Sequence, residues 1–128
     1  PPVPDTIAVL GAGLDLAWMR ADWLGERRVA YWGDIDTWGL AMLGRARSLQ
    51  PHVEPVLMDR AVFERNAAMA VAEPMNAGPV APEGLSAHEQ ALYAHLLALE
   101  NGRLEQEFLP EREVHQAMLA WAKSARYE

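Results

Sequence analysis

Cysteine is absent from the 128 residues, so the chain can form neither a disulfide nor a thiolate metal site, and its redox compartment is left open. Lysine is nearly absent too: Lys123 stands alone, and every other basic residue is arginine. Positive charge is scarce overall. The formal net charge of −7 is a poor fit to an independent nucleic-acid binder, because duplex affinity comes largely from neutralised phosphates. No apolar run approaches the length of a membrane span. No basic-then-apolar leader opens the sequence, so no export signal is visible and a cytoplasmic protein with no membrane partner is expected. The chain begins with Pro1 rather than Met, which suggests a piece cut from a longer protein, and no glutamate occurs among residues 1 to 25. Repeats and low-complexity tracts are also missing.

What is present fits one domain by length, with half of the residues apolar and enough chain to bury a core. Thr6-Ile7-Ala8-Val9-Leu10 reads as a strand, followed by a flexible turn at Gly11-Ala12-Gly13. This Gly-x-Gly lacks the third glycine and the acidic partner of a dinucleotide fingerprint. Leu14, Ala17, Trp18 and Ala21 recur at helical spacing, predicting a helix over about 14–24. A second strand is predicted over 28–33 and a helix over 37–48, with Leu40, Met42, Leu43, Ala46 and Leu49 on its buried face. A third strand runs from Val53 to Met58, its first half weakened by Pro55. Asp59 is placed to cap the helix that follows through Val62, Phe63 and Met69. Residues 73–85, rich in Pro, Gly and Ala, read as an exposed connection. Ser86 and Glu89 then form a capping box ahead of a helix carrying Leu92, Tyr93, Leu96, Leu97 and Leu99. A last helix is expected over 111–125, with Val114, Met118, Leu119 and Trp121. Strands alternating with helices imply an α/β fold with a mostly parallel, Rossmann-like sheet and right-handed crossovers. The core spans about residues 5–72, and a helical part occupies about 86–125.

The chemistry concentrates in Tyr31-Trp32-Gly33-Asp34-Ile35-Asp36-Thr37-Trp38-Gly39. A strand ends at Gly33, and Asp34 and Asp36 follow one residue apart. Extended backbone points both side chains to the same side, and hard cations such as Mg²⁺ take carboxylate oxygen. The place also matches the rule that open α/β sheets bind ligands beyond the carboxyl ends of their strands. On spacing alone, a turn plus a helix N-cap explains the pair more simply. Arg45, Arg47, Arg60 and Arg65 form either a local basic patch or a solvated helix face. The histidines His52, His88, His95 and His115 share no ligand spacing and read as surface residues. Trp18 and Trp121 sit in apolar patterns and read as core or partner contacts.

The wider string resembles the TOPRIM segment of the Wadjet plasmid-defence nuclease subunit, whose usual order is tryptophan-glycine-aspartate-isoleucine-aspartate-threonine-histidine-glycine. Further matches follow in order: Pro51-His52 before a strand ending Leu57-Met58-Asp59-Arg60, then Leu85 to Tyr93, then Arg103-Leu104-Glu105-Gln106-Glu107. The likeness covers about residues 5–124. It implies a single TOPRIM-like domain over 1–128, related in its core to the A subunit of topoisomerase VI. It also implies a Mg²⁺- (or Mn²⁺-) dependent DNA endonuclease of a bacterial anti-plasmid system, with Asp34 and Asp36 as catalytic metal ligands. The essential third carboxylate of such enzymes lies upstream of the Thr6 strand in that family, so it is expected outside these residues. Glu105 and Glu107 are secondary candidates, on one face if their segment is a strand. Implied partners are DNA, bound through the full-length protein, an SMC-like condensin-type complex, and a second copy in a homodimer. No organic cofactor is implied. Trp38 stands where the family usually has histidine. The alternative is a non-catalytic TOPRIM-like interaction module within a DNA-processing complex, which Trp38 and the negative charge would fit. A receiver-like phosphate-accepting domain would need a lysine at the end of a late strand, and Lys123 lies in the terminal helix.

Overall fold

The computed structural model describes residues 3–11 and 15–124. Its central unit is strand β1 (Ala30–Tyr31), helix α1 (Thr37–Leu49) and strand β2 (Glu54–Pro55), with β1 and β2 parallel. Glu54 and Val56 donate their N–H groups to the carbonyls of Val29 and Tyr31, both at 2.9 Å. The donors that β2 offers to β1 therefore flank Pro55, whose missing N–H falls on the other side of the strand. Leu57 then adopts a left-handed backbone, φ 59°, turning the chain into Asp59. The side chain of Asp59 caps helix α2 (Arg60–Arg65) by accepting from the Val62 N–H at 2.8 Å.

Helix α3 (Ala87–Ala98) starts on the expected capping box. Glu89 N–H donates to Ser86 Oγ at 3.2 Å, and Ser86 N–H donates to Glu89 Oε1 at 2.8 Å. Ser86→Ala is expected to lower the unfolding free energy by about 1 kcal/mol, read as a lower urea midpoint at unchanged slope. Glu89 also receives a forked ion pair from Arg47, and these hydrogen bonds outweigh its burial and hold its carboxyl below the usual range. Helix α4 (Glu111–Ser124) lies on the surface with no fully buried residue. Arg28 fastens its end by stacking 4.6 Å from the Trp121 ring centroid and donating to the Trp121 carbonyl at 2.7 Å.

One apolar core joins these elements. Leu40, Leu43 and Ala46 of α1 meet Val62 and Phe63 of α2, and Leu92, Tyr93 and Leu96 of α3. Beyond β1 the chain runs on extended, and Ile35 exchanges backbone hydrogen bonds with Leu104 at 2.9 and 3.0 Å. Val71 does the same with Arg103 at 2.8 and 2.9 Å. These two antiparallel bridges bring residues 103–104 against the end of β1.

Four expectations are corrected. Residues 6–10 form no strand: Ile7 is 85% and Leu10 96% exposed, so the apolar run has no sheet neighbour among the described residues. The helix expected over 14–24 is instead two 3₁₀ turns, Ala17–Arg20 and Asp22–Glu26; Leu14, Ala12 and Gly13 lie outside the described residues. Trp18 is exposed, which removes the core alternative for it and leaves that of a partner contact. The mostly parallel sheet is reduced to one two-residue strand pair, so the mixed α/β class holds while the extended sheet does not. The 73–85 connection is irregular, as expected, but it lies on α1 and α3 rather than free. Gly84 takes φ +89°, Gly44 leaves no room for a Cβ beside the Glu83 carbonyl, and Tyr93 O–H donates to the Gly78 carbonyl at 2.8 Å.

Candidate functional site

The site forms where β1 ends. Gly33 is buried under the Tyr31 ring, and a Cβ there would stand 2.5 Å from the Tyr31 hydroxyl. Asp34 and Asp36 flank Ile35, which is buried and bridged to Leu104. The extended backbone at Asp36 (φ −150°, ψ 179°) keeps the strand alternation, so both carboxyl groups turn to one side. Each gives one oxygen to a backbone N–H. Asp34 Oδ1 accepts from Gln106 at 2.8 Å, and Asp36 Oδ1 accepts from Gly39 at 2.6 Å and caps α1. The remaining oxygens converge on one cation: Asp34 Oδ2 lies 3.7 Å from Arg103 Nη2, and Asp36 Oδ2 lies 3.7 Å from Arg103 Nε. Glu105 Oε1 sits 3.1 Å from Arg103 Nη2.

A further acid comes from the 73–85 connection. Glu73 Oε1 accepts the Thr37 hydroxyl at 2.7 Å and the Trp38 N–H at 3.3 Å, at the start of α1. Burial dominates the electrostatics. Asp36 is 4% exposed, and its carboxyl is pushed up to about 6 by burial, opposed by the Gly39 hydrogen bond and Arg103, and reinforced by the charges of Glu73 and Asp34. Burial, with Asp36 and Asp34 nearby, pushes the Tyr31 phenol up to about 12, so it stays neutral at ordinary pH.

The structure therefore brings Asp34, Asp36 and Glu105 together around Arg103. Glu107 is left out: residues past Leu104 are not a strand but a 3₁₀ turn, Gln106–Phe108, on which Glu107 is exposed. Trp38 is 40% exposed and donates its indole N–H to the Met75 carbonyl at 2.8 Å, pinning the 73–77 stretch to α1. Arg47, Arg60 and Arg65 are ion-paired to Glu89, Glu64 and Glu113, which disfavours a basic patch. His52 is structural: its Nε2 lies 2.8 Å from the Arg27 carbonyl and 3.1 Å from that of Leu24. Sequence reasoning missed Glu73, which carries no local signal in its Pro- and Gly-rich stretch, and gave Arg103 no role. Among the described residues no three acid or histidine side chains form a closed metal cage. Asp34 Oδ2 and Asp36 Oδ2, which face Arg103, are the carboxylate oxygens this edge could offer a hard cation.

Fold and site together define an α/β domain with a paired carboxylate edge beyond a parallel strand. The chain belongs to the family described as Wadjet protein JetD, C-terminal, whose model matches residues 1–118. A comparison with curated proteins finds no match. Membership ties the chain to the Wadjet defence system. No helix among the described residues is long and apolar enough to cross a membrane.

Proposed function

We propose that this chain is the TOPRIM-like, Mg²⁺-dependent endonuclease domain of a Wadjet-type anti-plasmid system, sharing its core with the A subunit of topoisomerase VI. The observation that carries the reading is that Asp34 Oδ2 and Asp36 Oδ2 face the same side at the end of β1, both toward the Arg103 guanidinium. Asp34 and Asp36 would hold Mg²⁺ or Mn²⁺, and the further carboxylates at this strand end are Glu105, beside Arg103, and Glu73, whose charge acts on Asp36. A divalent ion bound there would supply charge neutralisation at a phosphodiester and activation of the attacking group. The chain's own contribution is fixed geometry. The Gln106 and Gly39 N–H groups orient the two carboxylates, and the Ile35–Leu104 bridge holds the backbone between them. With a net charge of −7, holding the duplex falls to the rest of the protein and to an SMC-like partner complex.

A plasmid-cleavage assay with Mg²⁺ or Mn²⁺ tests this. The intact protein with its partners is expected to linearise or nick supercoiled plasmid, its Asp34→Ala variant to lose that activity, and the 128-residue chain alone to leave plasmid intact. Undiminished cleavage by Asp34→Ala removes the Asp pair from the reaction. That result would favour a non-catalytic interaction module, a reading supported by Asp36 serving as an N-cap and by Arg103 already balancing the acids.

A further inference from the structure

We infer that Arg103 is a built-in counter-cation of the Asp34–Asp36 site, occupying the position of the divalent ion and setting how tightly that ion binds. The inference rests on the metal-site reading and adds a residue that competes with the metal. Three observations carry it. The guanidinium faces the two carboxylate oxygens that no backbone N–H engages, at 3.7 Å each. Those separations are charge contacts, too long for hydrogen bonds, and the buried Nε makes no hydrogen bond at all. An arginine placed for structural strength would be expected to form the short forked pair that Arg47 forms with Glu89. The backbone of Arg103, by contrast, is fixed in both directions by Val71 at 2.8 and 2.9 Å. The main chain is therefore anchored, while the charged head has one close partner, Glu105 at 3.1 Å, and stands 3.7 Å from each aspartate.

The two cations exclude each other. A divalent ion held by these Oδ2 atoms would stand beside a guanidinium whose nitrogens are only 3.7 Å from the same oxygens, and the like charges would repel. Loading the ion thus requires Arg103 to withdraw. Its side chain is 31% exposed, so a route to solvent is open without disturbing the bridged backbone. Arg103 is in this sense a positioning residue: without metal it keeps the aspartates from repelling one another, and it lowers apparent metal affinity by the free energy of its own contact.

Mn²⁺ binding to the intact protein tests the inference, measured by calorimetry and by the electron paramagnetic resonance of unbound Mn²⁺. The Asp34→Asn, Asp36→Asn double variant defines the background from other sites. Arg103→Gln is expected to bind Mn²⁺ at the aspartates roughly tenfold more tightly than the wild type, within the usual range for coupled sites. Arg103→Lys, which keeps the charge, is expected to stay close to wild type. Arg103→Gln is also expected to gain more in thermal midpoint from Mn²⁺ than the wild type does, which separates competition from simple loss of fold. Aspartate-dependent binding that is unchanged or weaker in Arg103→Gln overturns the inference and leaves the metal site standing. Equal effects of the Gln and Lys variants also overturn it, by assigning Arg103 a packing role. Absence of aspartate-dependent binding in all forms removes the metal site and the inference with it.

Discussion

Gly39→Ala should destabilise the domain by about 3 kcal/mol or more, although glycine-to-alanine changes inside helices ordinarily stabilise by up to about 1 kcal/mol. The reversal follows from what surrounds the position. A Cβ on Gly39 would stand 1.9 Å from the Asp34 carbonyl oxygen, 3.0 Å from its carbonyl carbon and 3.2 Å from Asp36 Oδ1. The two closest of these are backbone atoms, which cannot swing aside as the end of a side chain can. The Asp34 backbone is held from one side by the Ile35–Leu104 bridge, and Gly39 is held by the first turn of α1. Relief of the clash must push α1 away from the strand end, and this breaks the 2.6 Å cap from the Gly39 N–H to Asp36. Overpacking and cap loss therefore add. Urea unfolding checks the effect against Gly25→Ala. Gly25 has only Gln50 Oε1 nearby, at 3.8 Å, so that control should move stability by less than about 0.5 kcal/mol. An unchanged midpoint for Gly39→Ala would mean that strand and helix do not approach as described, and the site geometry would go with it.

This close approach also shows which parts of the molecule could be read from sequence. Signals that act within a few residues survived. The periodic apolar face of α1, the Asp59 cap and the Ser86–Glu89 capping box all stand where expected, because each is satisfied by its own neighbours. The Asp34-x-Asp36 spacing was legible for the same reason: the alternation of extended backbone is a local fact. The strand over residues 6–10 failed because a β-branched run becomes a strand only against a partner edge, and Ile7, Val9 and Leu10 have none among the described residues. The helix over 14–24 failed differently. The apolar spacing was met by two tight turns that bury Met19 and Leu24 singly instead of by a continuous stripe. Glu73 and Arg103 join the site only through chain crossings of more than 30 residues, for which one sequence offers no rule. A strand would put Glu105 and Glu107 on one face. The 3₁₀ turn after Glu105 separates them, and only Glu105 reaches the guanidinium.

Asp36 answers to both of the readings that its sequence allowed, and pH can separate them. As an N-cap it stabilises α1 through Oδ1; as a buried acid beside Asp34 and Glu73 it carries an electrostatic penalty once ionised. Its carboxyl stands at about 6 in the folded protein against an ordinary 3.8, chiefly through burial. The folded state thus holds this proton more tightly than the unfolded chain, so stability from this group is fully present below about pH 4 and is lost as pH rises through 6. The loss is on the order of 2–3 kcal/mol between pH 3 and 7. Asp36→Asn keeps a capping oxygen, since Asn and Asp cap about equally well, and never ionises. Its advantage over the wild type should therefore be small at pH 4 and grow toward pH 7. Asp36→Ala lacks the cap and should sit about 1 kcal/mol below Asp36→Asn at every pH. Urea unfolding of the three proteins at steps from pH 4 to 7 reads both terms. Parallel wild-type and Asp36→Asn curves would place the carboxyl in the ordinary range and remove the charge crowding at this strand end. An Asp36→Ala curve that coincides with that of Asp36→Asn would remove the cap instead.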